Sequence, residues 1–111
     1  MYLFFGGELV KENSNYVVVT IGPECLAVNA DCVRDKIYSF FTGKATAICL
    51  DFNDTLYMDA AGVGIIAAVV FEGRRKGVNI SMRGATGSVL DMLTSTGLYR
   101  LSSWSENKFG V

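Results

Sequence analysis

Histidine is missing from all 111 residues. That absence excludes His-based triads, imidazole metal ligands and imidazole proton relays. Proline occurs once, so regular elements are joined by tight glycine turns and not by a Pro-rich linker. Cysteine is scarce: Cys25, Cys32 and Cys49 are odd in number and form no CxxC pair. This argues against a disulfide framework and against a zinc site. Reduced, mostly buried thiols in a cytoplasmic protein are expected, with Cys25, near a loop, as the candidate for reactivity. An excess of charge of one sign is also lacking, with 10 basic against 11 acidic residues. A nucleic-acid binder would usually carry a basic excess. Long apolar runs are absent too. Ala60 to Phe71 is 12 residues, whereas a membrane-spanning helix needs about 20. No targeting segment is expected, because Gly6, Gly7 and Glu8 interrupt the apolar start and no basic stretch precedes it.

What is present is a core. Half of the residues are hydrophobic and mean hydropathy is +0.32, which suits a single domain over residues 1–111. Charge is uneven along it. Residues 1–59 carry net −4 and residues 60–111 net +3, the latter largely from Arg74, Arg75 and Lys76. Those three can end a helix, where cations oppose the macrodipole, or form a patch for an acidic partner or a phosphate.

The order of elements reads β-β-α-β-α-β-α-β. Tyr2 to Lys11 reads as one strand and Tyr16 to Ile21 as a buried one. Asn29 can cap a first helix bearing Val33, Ile37, Phe40 and Phe41, which Gly43 ends. Ala45 to Phe52 is a second core strand, apolar on both faces as in sheets covered by helices. Asp59 is a natural N-cap for a helix over Ala60 to Lys76, closed by Gly77. Val78 to Arg83 makes a third core strand. Thr86 or Ser88 caps a short helix that Gly97 stops, and Tyr99 to Trp104 makes a last strand. Ser105 to Val111 is too brief for a stable helix. The alternation predicts an α/β fold: a mostly parallel, four- to five-stranded sheet with crossover helices, its final C-terminal helix short or absent.

Asp51 to Gly64 is the informative stretch. Folds of this class place sites where a loop leaves a core strand and enters a helix. Gly62 and Gly64 let that helix start lie close to neighbouring backbone. Its unpaired N–H groups form an anion seat, which the Asp59 cap is expected to fill. Asp51, Asp54 and Asp59 fit caps and loop surface better than a magnesium site, so no metal or cofactor is expected.

Ile48-Cys49-Leu50-Asp51-Phe52 followed by Tyr57-Met58-Asp59-Ala60-Ala61-Gly62-Val63-Gly64-Ile65-Ile66 resembles the core signature of the STAS domain family. Gly84, then Val89-Leu90-Asp91-Met92-Leu93, then Gly97-Leu98 is similar to that family's helix ending in Gly-Leu before the last strand. The family includes bacterial anti-sigma factor antagonists and the cytoplasmic tails of sulfate transporters. The resemblance implies partner switching: an unphosphorylated antagonist binds an anti-sigma factor that is itself a serine kinase, and phosphorylation directly after the motif Asp blocks the interface. The matching position here is Ala60, followed by Ala61, and neither has a hydroxyl. Two further departures are the Gly22-Pro23-Glu24-Cys25-Leu26 loop, where related antagonists commonly carry an Asp, and the short C-terminus.

The resemblance therefore implies a non-enzymatic signalling module with a phosphosite-equivalent, Ala60, that cannot be phosphorylated. Its partner-binding residues would be Asp54, Thr55, Tyr57, Met58, Asp59, Ala60, Ala61, Gly62 and Val63, with Tyr57 and Met58 equally readable as core. Thr55, the only Ser or Thr of that loop, is either a displaced phosphosite or a turn residue. The alternative function is a ligand-sensing or lipid-transport-complex subunit that takes a nucleotide or anionic lipid through Arg74-Arg75-Lys76 and the helix start at Ala60. An apolar strip near Leu101 and Trp104 would favour a homodimer.

Overall fold

The computed structural model describes residues 2–5, 8–13, 16–43, 45–98 and 103–104. In chain order the strands are β1 (Tyr2–Phe5), β2 (Glu8–Asn13), β3 (Tyr16–Thr20), β4 (Glu24–Cys25), β5 (Ala47–Asp51), β6 (Tyr57–Met58), β7 (Asn79–Arg83) and β8 (Ser103–Trp104). The helices are α1 (Ala30–Tyr38), which runs on into a 3-10 turn over Ser39–Thr42, α2 (Ala60–Lys76) and α3 (Gly87–Ser95). The main sheet has the order β1-β2-β3-β5-β7-β8, while β4 and β6 form a separate two-stranded sheet. The β3–β5, β5–β7 and β7–β8 pairs are parallel. The fold is thus α/β with a mostly parallel core, as the alternation of elements requires.

The sheet has six strands where four to five were expected. The difference lies at the N-terminus, where Tyr2 to Lys11 is two antiparallel strands and not one. Phe5 pairs with Glu8 and Tyr2 with Lys11, so β1 and β2 run antiparallel. The strand expected over Tyr99 to Trp104 is described at Ser103 and Trp104 alone. The rest of that segment, Leu101 included, and the Ser105–Val111 segment lie outside the described residues, as does the side chain of Trp104.

Alternation along the strands decides which face carries the helices. Val17 and Val19 of β3, Ile48 and Leu50 of β5, and Ile80 and Met82 of β7 share one buried cluster with Val33 and Ile37 of α1, Ile66 and Val70 of α2, and Val89 and Leu93 of α3. All three helices therefore cover the same face. Val18 and Cys49, which point the other way, are buried as well, and this accounts for the continuous apolar runs in the sequence.

Helix α2 is the central element of that layer. Its buried residues Gly62, Val63, Ile66, Val69, Val70 and Gly73 recur at helical spacing. Gly77 closes it in the left-handed conformation, φ 74°, where a Cβ would be strained. At Gly73 the helix touches the sheet. A Cβ there would stand 2.4 Å from Ile80 Cγ1 and 3.1 Å from the Val78 carbonyl oxygen. Gly73→Ala is expected to destabilise the fold by about 1–3 kcal/mol through overpacking, read as a lower urea midpoint at unchanged slope. An unchanged midpoint would show that α2 does not approach β7 this closely.

Candidate functional site

At the C-terminal end of the parallel strands, two loops meet at the start of α2. The first is 21–29 and the second is 52–59. The strand ladder leads into both: the Ile21 amide donates to the Asp51 carbonyl at 2.9 Å and the Phe52 amide to the Arg83 carbonyl at 2.9 Å. Beyond the ladder the loops are zipped together. β4 pairs in parallel with β6, Glu24 opposite Tyr57 and Cys25 opposite Met58. The amides of Leu56 and Tyr57 both donate to the Pro23 carbonyl, at 2.9 and 3.2 Å. The Thr55 hydroxyl donates to the Gly22 carbonyl at 2.7 Å.

Asp59 joins the zipped loops to the helix. Its backbone is extended, as an N-cap requires. Oδ1 accepts from the Gly62 amide at 2.9 Å and Oδ2 from the Ala27 amide at 3.0 Å. The carboxylate thus satisfies one orphan donor of α2 and one donor of a loop 32 residues away in sequence. The amides of Ala27 and then Gly62 hold its pKa below the ordinary value, because hydrogen bonds to the charged form favour it. The anion seat foreseen at this helix start is therefore occupied by the protein's own carboxylate.

Gly62 explains how close the approach is. A Cβ on it would stand 2.0 Å from the Cys25 carbonyl oxygen, an overlap with backbone that cannot be relieved by a side-chain turn. Gly64 does not share this role. It is exposed, with nothing within 4 Å of a Cβ placed there. Cys25 likewise departs from expectation. It is fully buried beneath Gly62, and burial followed by the Asp59 charge pushes its thiol up to about 11. At neutral pH it is a protonated, enclosed thiol, not a reactive one. The exposed cysteine is Cys32, on α1.

The nine residues singled out in sequence separate into two sets. Asp54, Tyr57, Ala60 and Ala61 are exposed, and Asp59 is half-buried. Thr55, Met58, Gly62 and Val63 are buried and hold the edge in shape. Thr55 is 4% exposed; its amide closes a turn onto the Phe52 carbonyl at 2.9 Å, as a turn residue should, while its hydroxyl reaches across to Gly22 and not to its own loop. Two exposed residues on these loops have no signal in the sequence. Leu56 is 65% exposed and Val28 is 85% exposed, and together with Tyr57 they give the edge an apolar surface. Asn29 stands at the N-cap position of α1, as expected, and its carbonyl accepts the Val33 amide at 3.1 Å, but its side chain makes no cap bond. Its Oδ1 accepts from the Leu26 amide at 2.8 Å and its Nδ2 donates to the Glu24 carbonyl at 2.8 Å, which shapes the first loop from within. Of the other aspartates, Asp51 pairs with Arg83 (Oδ2 to Nη2, 3.1 Å) and accepts the Asn53 amide at 2.8 Å, so it anchors the second loop.

Two predictions follow from this geometry. Gly62→Ala is expected to lower the urea midpoint, while Gly64→Ala raises stability by about 0.5–1 kcal/mol, as an exposed helical glycine should; equal effects would contradict the Cys25 contact. The second concerns acid. A carboxylate whose folded pKa lies below its unfolded value adds stability that is fully present above the unfolded value and fades as pH falls through the folded one. The stability gap between wild type and Asp59→Ala should be widest near neutral pH and close as pH drops below 3.8. A gap that stays constant or widens in acid would show that the carboxylate is not held ionised by these amides.

Comparison with known proteins places this arrangement. No match appears among curated protein sequences. Solved structures with the same fold include an anti-sigma factor antagonist from Mycobacterium paratuberculosis, at 19% identity and TM-score 0.72 over 96% of this chain and 86% of that one. The Bacillus cell fate determinant SpoIIAA in its phosphorylated form superposes with TM-score 0.69 at 18% identity, covering 90% of this chain and 92% of its own. The murine Slc26a9 anion transporter contains the fold as well, with TM-score 0.70 and 19% identity over 85% of this chain but 16% of the transporter. Among the described residues, no helix is long and apolar enough to cross a membrane. The family model of the STAS domain matches residues 9–108, and on a match of that extent the chain belongs to the STAS domain family.

Proposed function

We propose that this chain is a non-enzymatic signalling module of the anti-sigma factor antagonist type, which binds a serine-kinase anti-sigma factor through the edge formed by loops 21–29 and 52–59 and the start of α2. The observation that carries the reading is the apolar surface of that edge. Leu56, Tyr57 and Val28 stand out on loops that are otherwise fixed by backbone hydrogen bonds and the Asp59 carboxylate. A rigid edge with exposed aromatic and aliphatic side chains loses little entropy on docking and supplies the anchors on which interfaces depend.

The same edge has no phosphorylation switch. Ala60 is exposed at the first position of α2, where a kinase would need a hydroxyl, and Ala61 beside it is exposed too. The nearby hydroxyl of Thr55 is buried. The partner-binding form is thus the standing form, and the protein acts as a constitutive antagonist or as a fixed member of a signalling complex. A nucleotide or lipid phosphate at the start of α2 would have to displace a carboxylate that already accepts the Gly62 amide, which favours the protein-binding reading over the ligand-sensing one.

The test uses the protein with ATP and the serine kinases encoded in its own genome, phosphate being mapped by mass spectrometry. Wild type is expected to take no phosphate on residues 54–64 and to remain bound to its partner. Ala60→Ser should accept phosphate and release the partner, since phosphate adds roughly −1.5 to −2 charges at the contact. Leu56→Asp should weaken the wild-type complex by about tenfold or more. Stoichiometric phosphate on the wild-type loop, or a complex indifferent to Leu56→Asp, would overturn the reading.

A further inference from the structure

The loops that form the docking edge carry charge of one sign. Residues 12–33 contain no lysine or arginine, and neither do residues 45–73. The charged residues of loops 21–29 and 52–59 are Glu24, Asp54 and Asp59, all acids. They are interleaved with the exposed apolar side chains. Glu24 is exposed and stands opposite Tyr57 where β4 pairs with β6. Asp54 is exposed two residues before Leu56. Asp59 accepts the amide of Ala27, the neighbour of Val28. The ion pairs among the described residues engage other acids. Arg34 of α1 is shared between Asp31 and Asp35, at 3.3 Å from each, and Arg83 is paired with Asp51. Lys36 of α1 donates to the Thr20 carbonyl at 2.7 Å. Helix α3, which packs against β6, adds exposed Asp91 and no base. Over the edge and the elements packed against it, these groups are seven acids against three bases.

An excess of negative charge around exposed apolar side chains defines its complement. Interfaces have an apolar centre and a polar rim, and like charges set against each other across a contact cost several kcal/mol. An acidic protein surface is therefore repelled here. So are nucleic acids and anionic lipid surfaces, whose phosphates carry the same sign. The two parts of the edge also do different work. Apolar anchors set how long a complex lasts, whereas charges at the rim set how fast it forms. We propose that the partner meets this edge with an apolar hollow bordered by lysine and arginine, and that Glu24 and Asp54 steer it there. This inference rests on the docking edge proposed above and adds the chemistry of the surface that fits it.

The test follows association of the full chain with a serine-kinase anti-sigma factor encoded in its own genome, by stopped flow over a range of salt. Association is expected to slow as salt rises. Asp54→Lys and Glu24→Lys should each slow it by about threefold or more and flatten its salt dependence, with dissociation little changed. Glu72→Lys makes the same change of net charge thirteen residues beyond Asp59. That is about 20 Å along α2, more than twice the Debye length of about 8 Å at physiological salt, so there the rate should stay within about twofold of wild type. Rates that ignore salt and both edge substitutions, while Leu56→Asp still breaks the complex, would overturn this inference and leave the docking edge standing. Faster association of Asp54→Lys, or equal slowing by Glu72→Lys, would overturn it too. A complex indifferent to Leu56→Asp, or no complex at all, would overturn both.

Discussion

One carboxylate organises the end of this domain where loops 21–29 and 52–59 meet the start of α2. Asp59 accepts from Gly62 with one oxygen and from Ala27 with the other. The first bond starts helix α2 and the second fastens a loop that precedes α1. Everything nearby depends on both being made. Gly62 must lack a Cβ because the clamp draws α2 onto the Cys25 carbonyl. Cys25 is sealed by that approach, and the sealing is what raises its pKa. The short β4–β6 pairing and the Thr55 bond to Gly22 then extend the clamp along both loops. The result is a stiff edge built from segments with little regular structure of their own.

Stiffness of this kind has a functional meaning. Loops usually carry function because a rigid scaffold positions them. Here the scaffold reaches into the loops, leaving side chains such as Leu56, Tyr57 and Val28 as the exposed parts. A surface ordered in advance needs no ligand to assemble it, and it needs a covalent or steric event to disable it. On the function proposed above, phosphate at the start of this helix would be such an event. The methyl groups of Ala60 and Ala61 offer no place for one.

The fold was legible where local chemistry decides. Asp59 before an apolar helix and Gly77 after it bracketed α2 at the residues the structure shows, because caps are governed by neighbours in sequence. The core strands were legible from their β-branched runs. What escaped was decided across long separations. Thr55 looked like a turn residue or a phosphosite; it does close a turn with Phe52, yet the partner of its hydroxyl lies 33 residues earlier. Asn29 looked like a cap, yet its side chain serves its own loop. Gly62 and Gly64 looked equivalent, and only the position of Cys25 separates them. Leu56 and Val28 carried no periodicity that could mark them as exposed. Of the nine residues expected to touch a partner, four are buried, four are exposed and Asp59 lies between them.

In the proposed function, the docking edge is preformed and always available. Hydrogen exchange of the complex with a serine-kinase anti-sigma factor, in ADP and in ATP, tests it most directly. A preformed edge should show added protection of backbone amides at residues 23–28 and 54–61, equal in the two nucleotides, over amides of Ala27 and Gly62 that are already slow to exchange in the free protein. Protection confined to other surfaces, its loss in ATP, or rapid exchange of Ala27 and Gly62 in the free protein would contradict it.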